Sequence, residues 1–205
     1  MNNNYFLFFD IETSGLETTD QILSIGSVVV DPVRLSIIPN SEFYTVIKPE
    51  NPDIIEDKTW SYTGLSLQEV MKGPKIDNAI SLFSEYIKRW RRGKTGWDSP
   101  IPAGYNINKF DTPFLTAKGL NTDLLFHKVN RLDLMDDMFR WTFFTKDYSV
   151  TSLNDLRDLV GLSRDGAHNA LIDARDCAKI AIRLLKVYKM NKVKFERAFS
   201  NGNTD

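Results

Sequence analysis

The sequence predicts one α/β domain built over a mixed sheet, and three observations carry that expectation. The chain has 205 residues, 42% of them hydrophobic, which suits one large domain with a full core. Three apolar runs rich in aromatic or β-branched residues come first. After them, short strand-like runs alternate with segments whose apolar residues recur every three to four positions, the pattern of helices packed on a sheet. A single domain over residues 1–199 follows, with residues 200–205 expected to be a disordered tail.

Residues 5–11 (YFLFFDI) and 22–30 (ILSIGSVVV) read as buried strands, because they are apolar runs too short for helices. Residues 42–47 (EFYTVI) alternate as a third strand and stop at Lys48-Pro49. The short polar links between these runs favour an antiparallel meander. Residues 49–75 contain Pro49, Pro52, Gly64, Gly73 and Pro74 and are expected to be irregular. Asp77 is placed to cap a helix whose Ile80, Phe83, Ile87 and Trp90 keep the 3.6 period, ended by Gly93 and Gly96. IPAGYNI (101–107) supplies a short strand end, and Thr112-Pro113 an N-cap and first position for a helix closing at Gly119. A strand is expected near 129–133 and a helix over 134–144. Ser152 and Asp155 form a capping box before Leu156, Leu159 and Val160, stopped by Gly161. From about 168 to 190, Leu171, Ala174, Ala178, Ala181, Ile182 and Leu185 make the stripe of the last helix.

Composition excludes several classes. One cysteine rules out an intrachain disulfide framework and a multi-thiolate zinc site, and two histidines leave little room for a histidine-rich metal centre. The start, MNNNYFLFFDIETSG, has no basic segment and only five apolar residues before Asp10, so no signal peptide is expected. No apolar stretch approaches the roughly 20 residues that cross a bilayer. A soluble cytoplasmic protein without membrane partners is the expectation. The net charge of −1 is unevenly spread: residues 1–60 hold ten acids and three bases, residues 61–120 five and nine. That asymmetry fits metal carboxylates beside a polyanion-binding surface, and it fits ordinary solvated faces equally well. The basic run KRWRRGK (88–94) reads first as a solvated helix end, with phosphate tracking as the alternative.

Asp10 and Glu12 are two residues apart at the end of the first strand, so both side chains leave one face of the sheet. Carboxylates this close raise each other's protonation tendency unless a positive group lies between them, and a divalent cation is a suitable one. The following Thr13-Ser14-Gly15-Leu16 turns the chain and can offer backbone N–H groups to a phosphate or terminal sugar. Asp111 lies in GYNINKFDTPF, at another junction of strand and helix, where Asn106 can fix the loop or touch a ligand and Phe110 is most simply core. His168 and Asp173 are five residues apart, roughly 140° round a helix. A joint role therefore requires His168 in the loop or first turn and Asp173 in the helix body. An Asp among Ala170, Leu171, Ile172 and Ala174 is costly unless paired or holding a metal.

Taken together, FFDIETSGL, GYNINKFDTPF and His168-NALI-Asp173 resemble, in order and spacing, the three motifs of the DEDDh exonucleases, which include proofreading exonucleases and oligoribonucleases. The resemblance spans residues 5–185. Tyr105 departs from the commonest pattern, standing where many members have His, and the gap from Asn106 to Phe110 is one residue longer than in proofreading subunits. The resemblance implies a ribonuclease-H-like mixed five-stranded sheet flanked by helices. It further implies a metal-dependent 3′-to-5′ exonuclease that releases nucleoside 5′-monophosphates from a strand with a free 3′ end. Single-stranded DNA is the favoured substrate, with an exoribonuclease or oligoribonuclease as the alternative. By the same resemblance Asp10, Glu12 and Asp173 hold one Mg²⁺, and Asp10 with Asp111 holds a second, Mn²⁺ substituting. His168 is the implied general base; Thr13, Leu16, Asn106 and Phe110 contact substrate, as do Gly64 and Leu65 of the segment TGLS (63–66). A polymerase or repair partner would be separate. An internal-cutting endonuclease, a non-catalytic nucleic-acid-binding module and a metal-dependent phosphatase are the rival readings.

Overall fold

The computed structural model describes residues 4–200, with side chains to residue 192. Phe6–Thr13 (β1) and Ile22–Asp31 (β2) form a long antiparallel pair, in which Asp10 faces Gly26 and Glu12 faces Ser24. Ser36–Ile37 (β3) and Phe43–Val46 (β4) both pair antiparallel with β2, so the expected meander is present. Ile101–Gly104 (β5) then runs parallel to β1, and Leu132–Asp133 (β6) parallel to β5. The mixed sheet thus has the order β3-β2-β1-β5-β6, with β4 also on β2.

Among the described residues that makes six strands rather than five. The additional strand, β3, arises from a turn that the hydrophobic pattern does not reveal. Asp31 Oδ1 accepts the N–H groups of Val33 and Arg34 at 2.8 and 3.0 Å, and Leu35 has φ 50°, so the chain reverses and Ile37 meets Val30.

Helices cover both faces. Residues 49–75 are more ordered than their prolines suggested: a 3-10 turn at Pro52–Ile54 precedes Asp57–Thr63 (α1) and Leu67–Val70 (α2). Ile76–Arg89 (α3) follows, with Lys75 at the N-cap; Asp77 lies in the first turn, where its charge still favours the helix N-terminus. Asp111–Ala117 (α4) begins two residues before the expected start, with Phe110, which cannot cap with its side chain, at the N-cap instead of Thr112. Thr122–Leu125 (α5), Leu134–Thr145 (α6) and Leu153–Val160 (α7) come next. Ser152 caps α7 by accepting from Asp155 N at 3.2 Å, and Gly161 ends it with φ 68°. The final helix, Ala170–Ser200 (α8), starts after His168 and runs further than 190; of the tail expected at 200–205, Ser200 ends the helix and 201–205 lie outside the described residues.

The alternation of β1 divides the core in two. Leu7, Phe9 and Ile11 pack with Phe83 and Ile87 of α3 and with Phe114 and Leu115 of α4. Phe8 points the other way, joining Val28, Val30 and Leu134 against Cys177, Ala178 and Ala181 of α8. Asp10 and Glu12 continue the α8 side of that alternation. Gly26, beside Asp10, decides how near α8 can come, since a Cβ there would overlap the backbone of Ala170 and Leu171. The missing side chain lets the first turn of α8 lie directly on the sheet.

Candidate functional site

The end of β1 opens into a pocket of about 700 Å³. Asp10 and Glu12 reach it from β1, Asp111 from the start of α4 and Asp173 from the first turn of α8, and His168 stands at its edge. One oxygen from each of Asp10, Glu12 and Asp173 lies within 4.8 Å of the others. Asp111 stands outside this trio. Its Oδ1 accepts the N–H of Ile11 at 3.1 Å, which ties α4 to the strand between the two acids of β1.

The four acids share a buried site, where loss of water comes first and like charge adds to it. Burial pushes Glu12 up to about 8, with the charges of Asp173 and Asp111 adding to it. Asp111 is pushed up to about 7, chiefly by burial and against the lowering effect of backbone N–H groups. Asp10 is raised well above the usual carboxylate range by loss of water and then by Asp111, Asp173 and Glu12, while Arg157 opposes the rise. For Asp173 burial again dominates, and Arg157 counters it. Converging hard oxygen donors whose charges repel fit a divalent cation.

His168 occupies the loop position that a joint role requires. It has φ 66°, its backbone N–H points to Asp173 Oδ2 at 3.3 Å, and Gly166 supplies another left-handed residue just before it. Asn106, also left-handed with φ 60°, is held through its backbone: Asp133 Oδ1 accepts its N–H at 2.7 Å and Asp133 Oδ2 that of Asn108 at 3.1 Å. Phe110 lines the pocket while packing on Phe114, ring centroids 4.8 Å apart. Thr13 Oγ1 donates to Gly15 O at 2.6 Å, fixing the turn that presents Leu16, which is 82% exposed at the pocket.

Two of the expected contacts lie elsewhere. Gly64, with φ 65°, is the C-cap of α1, and neither it nor Leu65 is among the pocket walls. The turn directs Leu65 into a separate apolar cluster with Leu23, Ile55 and Val70. Tyr62 and Thr63 line the pocket instead. The basic run is also remote. Arg92 lies over the ring of Tyr5, before β1 begins, whereas the acids stand at the strand's far end.

Sequence reasoning missed three residues. Tyr62 packs on His168, Gly26 admits α8, and Arg157 pairs with Asp173 at 2.6 Å. An isolated glycine inside an apolar strand is a sign of close backbone approach. Arg157 was also findable, as it interrupts the apolar stripe of Leu153, Leu156 and Val160.

Residues 7–181 match the model of the Exonuclease (RNase_T) family. The chain belongs to that exonuclease family. The DEDDh-type resemblance carried by the three motifs therefore stands, as does the ribonuclease-H-like sheet. This exonuclease domain is 23% identical over 196 residues to ERI1 exoribonuclease 2 of Xenopus laevis, covering 88% of this chain and 28% of that protein. It is 27% identical over 188 residues to the PolC-type DNA polymerase III of Thermotoga maritima, covering 90% and 12% respectively. The chain thus spans about a quarter or less of these relatives. Among solved structures, the zinc-bound complex of E. coli exonuclease I with single-stranded DNA superposes with a TM-score of 0.71 at 20% identity. That match covers 96% of this chain and 43% of the other. A 3′-exonuclease that recognises the histone mRNA stem-loop gives 0.69 at 18% identity, covering 89% of this chain and 64% of the other. At such identities these likenesses establish the fold. Among the described residues, no helix is long and apolar enough to cross a membrane.

Proposed function

We propose that this domain is a metal-dependent 3′-to-5′ exonuclease that removes nucleoside 5′-monophosphates from single-stranded DNA. The observation that carries the reading is the convergence of Asp10, Glu12 and Asp173 beside Asp111 and a loop-borne His168, in one open pocket. Asp10, Glu12 and Asp173 would hold one Mg²⁺ and Asp10 with Asp111 a second, Mn²⁺ substituting. Bound there, the cations would lower the pKa of the attacking water and stabilise the departing 3′ oxygen.

The chain's own residues do the rest. The turn Thr13 to Leu16 borders the terminal nucleotide, with the N–H of Ser14 already taken by Gln21 O at 2.8 Å, and Leu16 and Phe110 give its bases apolar surfaces that tolerate any sequence. Asn106 lines the same pocket, its carbonyl accepting the N–H of Phe110 at 3.0 Å. A ring nitrogen of His168 receives the proton of the attacking water, and the loop lets the imidazole approach and withdraw. The single domain over residues 1–199, the cytoplasmic location and a polymerase or repair partner belong to the same reading. Its support for DNA is the single-stranded DNA named with the E. coli neighbour. The exoribonuclease relative favours RNA as the second reading.

A 5′-labelled single strand incubated with Mg²⁺ should give a ladder shortening from the 3′ end, with 5′-monophosphates as the only released product. Equal cleavage of a circular strand would favour the endonuclease rival. Release of inorganic phosphate would favour the phosphatase. DNA and RNA strands of several lengths in parallel decide the sugar preference.

A further inference from the structure

Arg157 stands where an amphipathic helix would carry a hydrophobic residue. Leu153, Leu156 and Val160 form the apolar stripe of α7, and position 157 falls within it by the 3.6 period. Its side chain is fully buried, with 1% of the residue exposed. Each of its three nitrogens has a partner: Nη2 donates to Asp173 Oδ1 at 2.6 Å, Nε to Asp176 Oδ2 at 3.0 Å and Nη1 to Asn154 Oδ1 at 2.8 Å. Asp173 and Asp176 lie one turn apart on α8, so one planar guanidinium spans both. Asp176 has a second cation in Lys179, at 2.9 Å. Asp173 has no other among the described ion pairs.

A buried guanidinium is costly to desolvate, and an apolar residue would fill this position more cheaply. What the charge supplies is a cation permanently beside a cluster of acids that repel one another. We propose that Arg157 is a positioning residue acting through Asp173. It is a built-in counter-charge that holds the carboxylate cluster together without a divalent cation and sets how tightly the cluster takes one. This rests on the reading of Asp10, Glu12 and Asp173 as a cation site.

Two effects of removing it oppose each other. Freeing Asp173 from its tether would weaken cation binding by roughly two- to fivefold, the entropy of one short side chain. Removing a unit charge a few ångströms from the ligand set would strengthen it by roughly tenfold or more, even at the screening typical of protein surfaces. Charge therefore wins, and a neutral residue here should bind cations more tightly while depending on them more.

The test compares the full chain with Arg157→Gln, which is neutral, and Arg157→Lys, which keeps the charge but loses the fork. Free Mn²⁺ is followed by electron paramagnetic resonance, and Tm is measured in chelator and in saturating Mn²⁺. Arg157→Gln should melt lower in chelator, gain more from Mn²⁺ than wild type, and half-saturate at a roughly tenfold lower concentration. Arg157→Lys should keep the wild-type midpoint. If the Gln variant is unfolded in chelator, refolding on Mn²⁺ supports the proposal and failure to refold overturns it. An equal loss of Tm with and without Mn²⁺, an unchanged or raised midpoint, or a Lys variant that behaves like Gln would each overturn it. Absence of Mn²⁺ binding by the wild type would instead reject the cation site itself.

Discussion

The ring of Tyr62 lies against the imidazole of His168, with centroids 3.9 Å apart and planes inclined by 41°. The contact joins α1 to the loop before α8 at the mouth of the acidic pocket, and Tyr62 is otherwise 63% exposed. Nothing else in the sequence around Tyr62 marks it as part of the site. An aromatic pair of this kind is worth roughly 0.5–1.5 kcal/mol. Tyr62→Ala should therefore lower kcat by about three- to tenfold through a less ordered His168, whereas Tyr62→Phe should retain most of it. Steady-state kinetics on a labelled strand measure both; an Ala variant with an unchanged kcat would remove Tyr62 from the site.

His168 itself should matter far more. Replacing it with Ala should reduce turnover by roughly 10²–10⁴-fold, the range for a lost general base. Strand affinity, measured in Ca²⁺ to suppress cleavage, should move little. Recovery of the maximal rate in high Mg²⁺ would show that His168 supports cation binding instead of moving a proton.

The raised acids make the metal-free protein sensitive to alkali. A carboxyl whose pKa is higher folded than unfolded costs no stability below the unfolded value. The penalty grows as pH rises through the folded value, because the folded state then binds more protons than the unfolded one. With Asp111 at about 7 and Glu12 at about 8, Tm in chelator should fall from near pH 5 to pH 8. Each kcal/mol lost corresponds to about 2–4 °C. Saturating Mg²⁺ should flatten the decline, and a pH-independent Tm in chelator would contradict the burial of these carboxyls.

Asp10→Asn should abolish cleavage while raising the Tm of the metal-free protein, since it relieves repulsion among Asp10, Glu12, Asp111 and Asp173. Excess chelator should stop the wild type just as completely. Residual cleavage by the folded variant would take Asp10 out of the centre.

Gly26→Ala tests how α8 delivers Asp173. The added Cβ meets backbone atoms of Ala170 and Leu171, so the helix has to move away as a unit. A loss of roughly 1–3 kcal/mol is expected for such overpacking. Weaker Mn²⁺ binding should accompany it, because Asp173 travels with the helix. Wild-type Tm and cation affinity together would show that the close approach is dispensable.

What the sequence determined was local. The apolar runs of β1 and β2, the capping box of α7 and the stripe of α8 are short-range patterns, and each produced its element close to where it was expected. Asp10 and Glu12 were legible for the same reason, since a strand's two-residue repeat puts both on one face. So was the split between a loop-borne His168 and a helical Asp173, which follows from the angle between positions five apart. Tertiary structure decided the rest. The β3 strand depends on a turn closed by Asp31, and the loop at Asn106 is held by Asp133, 27 residues away. Leu65 turned inward because Gly64 sends the chain toward Leu23 and Val70. Arg157 acquired its meaning only when α7 packed on α8, and Gly26 only when α8 reached the sheet. Periodicity records which face of an element is buried, but not what arrives on that face. That is fixed by packing between segments far apart in the chain.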